Sequence, residues 1–206
     1  MPKDAELKER NRKGRKVLLG FVVAAPFVAA VVLSPTLAVG DQNAPAVNEH
    51  GLHAGGLQAE LAQVRAATAR FHRVEEAVAA GYELGWVNGS GVRIVAGCVA
   101  HPTAGAMGYH YFNAELMADN AVDALEPEVL VYAPDPDGGL ELVAVEWVVR
   151  GPQSNPPGVS EAPSVLGMDM HILVPPPGPA FYLTHAWVWA DNPAGMFADW
   201  NPDVRC

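Results

Sequence analysis

Residues 140–149, LELVAVEWVV, form an apolar run that only two glutamates interrupt. Its β-branched and aromatic content predicts a β-strand that is largely apolar on both faces. Glu146 should therefore be at least half buried whichever way it points. A buried carboxylate costs several kcal/mol unless it is paired, protonated or bound to a cation. Residues 41–206 contain no lysine. Arg150 is too close to Glu146 in the sequence to face it across a sheet. The expected partner of Glu146 is therefore an imidazole, a backbone donor or a metal ion.

Further candidate strands, each delimited by turn residues, lie on both sides of this run. These are residues 92–97, 106–112, 128–133, 168–174 and 181–190. Upstream, from Leu57 to Tyr82, mainly apolar residues recur every three or four positions, and Gly81 can end a helix there. The prediction is an α+β fold in residues 57–206, with one long N-terminal helix packed on a curved antiparallel sheet. A small closed barrel of the same strands is the alternative.

The N-terminal 40 residues have the composition of an export signal. Residues 1–16 carry seven basic and three acidic residues, and residues 17–40 carry no charge. This order predicts a signal peptide, cleaved after Gly40, or a retained membrane anchor over residues 1–40, with the remainder outside the cytoplasm. Pro26 and the break at residues 34–36 favour cleavage. Residues 41–56 are predicted to be a flexible linker.

Charge and cysteine content restrict the function of the remaining chain. Residues 41–206 hold six arginines and 20 acidic residues, a formal charge of −14. Such a domain repels phosphate backbones, which argues against nucleic-acid binding and leaves a small molecule or a metal ion as the expected partner. Contact with a membrane is expected only through the N-terminal segment. The two cysteines, Cys98 and Cys206, are predicted to form a disulfide in an oxidising compartment, worth about 4 to 5 kcal/mol.

Histidines on different candidate strands suggest a metal site. His110, Glu146, His171 and His185 could converge if their strands are neighbours, and imidazoles with one carboxylate are common ligands of zinc, iron or copper. A nearby Met107, Met168 or Met170 would favour copper, because a thioether is a soft ligand. The alternative for each histidine is a hydrogen-bonded residue of the core or rim.

Several segments resemble a family of exported bacterial proteins that share the motifs GAMGYHY and NPAGMFADWNP. In this chain the motifs are residues 105–111 and 192–202, accompanied by the strand at residues 127–132 and by residues 145–147. The resemblance covers most of residues 57–206. It implies export and a single domain, and it implies no particular chemistry.

Two functions remain open on the sequence alone. The first is a secreted or membrane-tethered metal-binding protein that, if it is an enzyme, uses an open coordination position on the metal. The second is a non-catalytic extracytoplasmic binding or interaction domain whose ligand wall is the tryptophan-rich tail, residues 187–200. Such a cluster more often forms a structural plug, in which each indole N–H is hydrogen-bonded.

Overall fold

Antiparallel β-structure makes up most of the fold. In the computed structural model the described residues are 49–173 and 180–206, with side chains described from residue 55. The strands are β1 (Tyr82–Leu84), β2 (Trp86–Val87), β3 (Arg93–Ile94), β4 (Cys98–His101), β5 (Gly105–Asn113), β6 (Val129–Pro134), β7 (Leu140–Arg150), β8 (Ser164–Val165), β9 (Met168–Asp169), β10 (His171–Leu173) and β11 (Phe181–Ala186). β2 with β3, and β8 with β9, form separate two-stranded sheets.

Seven of these strands form one sheet, in the order β1-β5-β6-β7-β11-β10, with β4 also paired to β5. The interior strand β7 contains the apolar run at residues 140–149. This arrangement confirms the predicted antiparallel sheet. Within the described residues β1 and β10 do not pair with each other, so the sheet is open and the closed-barrel alternative is wrong.

The predicted long helix is broken in two. α1 (Glu49–Thr68) is followed by a 3-10 turn at Ala69–His72, and α2 (Val74–Ala79) begins after Arg73, whose backbone is extended. A third short helix, α3 (Leu116–Asp119), follows β5. The prediction of one continuous helix from Leu57 to Tyr82 is therefore wrong, and Tyr82 is the first residue of β1.

Long-range hydrogen bonds explain where the helix breaks. The buried Thr68 hydroxyl lies 2.8 Å from the Val64 carbonyl oxygen, to which it donates, and it accepts the indole N–H of Trp189 at 3.1 Å. Back-bonding of this kind bends helices. One turn later the Phe71 carbonyl accepts the hydroxyl of Tyr132 at 2.7 Å, so a side chain of the sheet supplies its donor.

The chain before the broken helix differs in part from the prediction. α1 begins at Glu49, so residues 49–56 of the predicted linker at 41–56 are helical. The predicted signal or anchor at residues 1–40 lies outside the described residues. Among the helices of the described residues, none combines the length and the apolar character that a membrane span requires.

The two faces of the sheet bury separate apolar clusters. On one face, Leu130, Tyr132 and Trp147 pack with Leu61 and Val64 of α1. The opposite face buries a second cluster, formed by Phe112, Val129, Val131, Val148 and Leu183 together with Trp187. Alternation along each strand separates the two sets, because neighbouring side chains point to opposite faces. The second face is the one that carries His110, Glu146 and His185.

A disulfide ties the C-terminal residue to the sheet. Cys98 of β4 is bonded to Cys206, which confirms the predicted pair. Backbone hydrogen bonds between Asn201 and Ala106 hold the same tail against β5. Disulfides are typical of oxidising compartments, so the bond favours a location outside the cytoplasm.

The tryptophans of the tail do not share one face. β11 ends at Ala186, four residues before the predicted strand end, and the Val188 N–H is hydrogen-bonded to the Ala186 carbonyl. Trp187 belongs to the cluster beside His185, whereas Trp189 packs in the cluster of α1. The indole N–H of Trp187 is donated to the Ala198 carbonyl at 2.6 Å. His185 and Trp187 therefore lie together on one face, whereas Trp189 faces the cluster on the other side.

Candidate metal centre

Strand register brings three of the predicted ligands together. Glu146 of β7 lies directly opposite His185 of β11. His110 of β5 lies opposite Val131 of β6, and Val131 lies opposite Ala144, two residues before Glu146 on the same face of β7. The three side chains therefore project from three different strands toward one point on the second face of the sheet.

The distances within this group are short, and the group is sealed from solvent. Glu146 Oε1 lies 2.9 Å from His185 Nδ1 and 3.5 Å from His110 Nε2. The exposed fractions of His110, Glu146 and His185 are 3%, 3% and 0%. One carboxylate oxygen thus lies between two imidazole rings in the absence of bulk water.

Burial and charge act in opposite directions on Glu146. Burial by itself raises the pKa of a carboxyl group, because it penalises the charged form. The charges and hydrogen bonds of His110 and His185 outweigh burial, so the pKa of Glu146 is lowered from its ordinary value. Contact with the two imidazoles therefore favours the ionised form of Glu146.

The geometry fits a small metal ion. One ligand atom from each of the three residues lies within 4.8 Å of the others, so the group could hold a cation. In a tetrahedral zinc site with bonds of about 2.0–2.1 Å, neighbouring ligand atoms are about 3.3 Å apart. The observed contacts of 2.9 and 3.5 Å lie on either side of that separation. Small side-chain shifts would suffice to admit an ion.

Two ring nitrogens of the group lack a hydrogen-bond partner among the described residues. His110 Nδ1 and His185 Nε2 are buried and make no hydrogen bond within the part of the chain that the structure describes. Buried polar atoms without a partner are uncommon in native proteins and call for an explanation. Both atoms belong to the rings that contact Glu146. Hydrogen bonds among the described residues therefore leave one nitrogen of each ring unsatisfied.

A cavity of about 260 Å³ lies beside the group and is lined in part by His110 and Glu146. The other lining residues are all apolar: Val95, Val99, Met107, Phe112, Val148, Leu173, Phe181 and Leu183. This cavity was not predicted from the sequence, and none of the described residues that line it is a tryptophan of the tail, which was the ligand wall of the alternative function. The alternation of side chains along each strand could have indicated this apolar wall. Phe112 shares a face with His110, and Phe181 and Leu183 share a face with His185.

The fourth predicted ligand is not part of the group. His171 lies on β10, an edge strand of the sheet, opposite Leu183 rather than opposite His185. Its side chain is about half exposed, and its Nε2 lies 3.4 Å from Asp199 Oδ1. An edge strand is covered on one side only, so it leaves the ring at the surface.

The predicted sulfur ligands are divided in the same way. Met107 lines the cavity beside His110. Met170 is buried in the cluster on the opposite face, and Met168 is exposed. Only Met107 of the three is therefore placed on the side of the sheet where the histidines meet Glu146.

A second carboxyl group, that of Glu128, is also buried. Burial, aided by the charges of Asp119 and Asp123, raises the pKa of Glu128 to about 8, although the Val148 N–H donates to its Oε2 at 2.9 Å and opposes the shift. The exposed fraction of Glu128 is 2%. Glu128 was not among the predicted site residues.

Comparison of the chain with protein-family models, with curated proteins and with solved structures finds no match.

Proposed function

We propose that this protein binds one divalent transition-metal ion through His110, Glu146 and His185, and that it does so outside the cytoplasm. The observation that carries the proposal is the convergence of three buried ligand atoms within 4.8 Å beside a cavity. Two imidazoles and one carboxylate form a ligand set that suits zinc, iron and copper. The disulfide and the predicted leader at residues 1–40 support the location.

Three protein ligands leave one position of a tetrahedral ion open, which is the arrangement of catalytic rather than structural zinc sites. His110 and Glu146 both line the cavity, so the open position would face it. An ion held by these three residues would supply a Lewis acid, able to polarise a bound oxygen or to activate a bound water. Met107, in the same cavity wall, would favour copper if its sulfur reached the ion.

The competing function is a non-catalytic extracytoplasmic binding domain. The mostly apolar lining of the cavity favours it, since small-molecule sites are largely apolar with few polar groups. No tryptophan is among the described residues that line this cavity, and the indole N–H groups of Trp187 and Trp189 are donated to acceptors within the protein. The two functions differ in one measurable property, namely whether ligand binding requires a metal.

Elemental analysis of the full chain, purified without a histidine tag, tests the proposal. We expect about one zinc, iron or copper ion per chain, and loss of that ion in the His185→Ala and Glu146→Gln variants. The matched control is His171→Ala, which removes an imidazole that lies outside the group and should leave the metal content unchanged. Circular dichroism of each variant distinguishes a lost site from a lost fold. A folded parent protein without stoichiometric metal would refute the proposal.

A further inference from the structure

The cavity beside the metal group is polar at one end only. Among the described residues that line it, only His110 and Glu146 are ionisable, and the remaining wall comes from apolar side chains on separate strands. Val99 of β4, Val148 of β7 and Leu183 of β11 contribute to this wall. A molecule bound there would meet hydrocarbon along most of its length and polar atoms at a single point.

The size of the cavity limits what can bind. Its volume is about 260 Å³, which is just below the range of roughly 300 to 1,000 Å³ that drug-sized ligands occupy. The ligand is therefore a small molecule with a short hydrocarbon portion.

Charge decides the character of the polar end. With a divalent cation bound, the single carboxylate of Glu146 leaves a net charge of about +1, and within the part of the chain that the structure describes no other lining residue is acidic. An uncompensated charge in an apolar environment is costly, so an anion that binds the open metal position is favoured over a neutral group.

We infer that the cavity binds a small apolar monocarboxylate, with its carboxylate on the open metal position and its hydrocarbon chain against the apolar wall. This inference rests on the proposed metal site. It names the class of ligand or substrate that the site accepts.

Calorimetric titration of the zinc-loaded full chain with acetate and with hexanoate tests the inference. Each methylene group buried in the cavity should tighten binding about fourfold. Hexanoate has four more methylenes than acetate, so its dissociation constant should be lower on the order of a hundredfold. 1-Hexanol, which lacks the anion, should bind much more weakly than hexanoate. Equal affinities for acetate and hexanoate would overturn the inference, as would equal hexanoate binding after the metal has been removed.

Two neighbouring residues of β10 offer a matched pair of variants. Leu173 lines the cavity and is 39% exposed, whereas Ile172 is 54% exposed and does not line it. Leu173→Asp places a negative charge at the cavity and should weaken hexanoate binding at least tenfold, while Ile172→Asp should have little effect. Both positions are exposed enough for the fold to tolerate the change. Equal effects of the two variants would contradict binding in this cavity.

Metal content measured on the same samples separates the two proposals. A chain that holds no stoichiometric zinc refutes the proposed function, and the ligand inference fails with it. A zinc-loaded chain that does not discriminate hexanoate from acetate refutes only the ligand inference.

Discussion

Replacing Glu128 with glutamine should make the protein more stable at alkaline pH. Burial raises the pKa of Glu128 to about 8 in the folded protein, from an ordinary value of 4.5. The folded state thus keeps a proton that the unfolded state releases once the pH exceeds about 4.5. Where the unfolded state binds fewer protons, the free energy of unfolding falls as the pH rises. The contribution of the neutral carboxyl group is fully present below pH 4.5 and is lost progressively up to about pH 8.

The magnitude follows from the two pKa values. One pKa unit corresponds to about 1.4 kcal/mol, so the loss over this window is on the order of 4 to 5 kcal/mol. Glutamine has nearly the same shape, and its side-chain oxygen can still accept the Val148 N–H. Because glutamine carries no charge at any of these pH values, the Glu128→Gln variant should lack this pH-dependent loss.

Urea unfolding curves of the parent and the variant at pH 4, 6 and 9 measure the effect. We expect free energies of unfolding within about 1 kcal/mol of each other at pH 4, and a variant that is more stable by about 4 kcal/mol at pH 9. Glu126→Gln, at an exposed position nearby, is the control and should show little pH-dependent difference. A difference between parent and Glu128→Gln that stays constant from pH 4 to pH 9 would refute the reasoning.

Two further predictions concern stability. Replacing both Cys98 and Cys206 with serine should lower the free energy of unfolding, measured by urea denaturation, by about 4 kcal/mol. The reason is that the disulfide joins residues 108 positions apart and so closes a long loop in the unfolded chain. An unchanged free energy of unfolding would contradict this stabilising role. The Gly108→Ala substitution should lower the free energy of unfolding by about 2 to 4 kcal/mol. At this position φ is +119°, and the added Cβ would lie 2.3 Å from the Tyr132 carbonyl oxygen. Gly138→Ala is its control, since φ is also positive there but nothing lies within 4 Å; equal losses in the two variants would show that the contact with Tyr132 does not matter.

The central strands could be predicted because their signals are local. The runs at residues 106–112, 128–133 and 140–149 are apolar and bounded by turn residues, and they match β5, β6 and β7 closely. The disulfide could also be predicted, since the sequence contains only two cysteines.

The break in the long helix could not be predicted in this way. Periodicity from Leu57 to Tyr82 continues through the break, whereas its causes are contacts with distant residues. Trp189 binds the Thr68 hydroxyl, and Tyr132 binds the Phe71 carbonyl, across separations of 121 and 61 residues. No local pattern reveals partners so far along the chain.

The sequence predicted which types of residue form the candidate site, but not which of the predicted histidines belong to it. The need for a partner to a buried Glu146 follows from the apolar strand around it, and His110 and His185 supply that contact. The exclusion of His171 depends on strand order, because β10 lies at the edge of the sheet. The separation of Trp187 from Trp189 likewise depends on a turn after Ala186 that the aromatic pattern concealed.

The proposed metal site formed by His110, Glu146 and His185 can be observed directly. Its most direct test is a zinc-soaked crystal of the full chain, with the ion located by its anomalous scattering. We predict one strong peak about 2.0–2.2 Å from His110 Nε2, Glu146 Oε1 and His185 Nδ1. A zinc-saturated crystal with no peak between these three atoms, or with its peak at His171 and Asp199, would contradict the account.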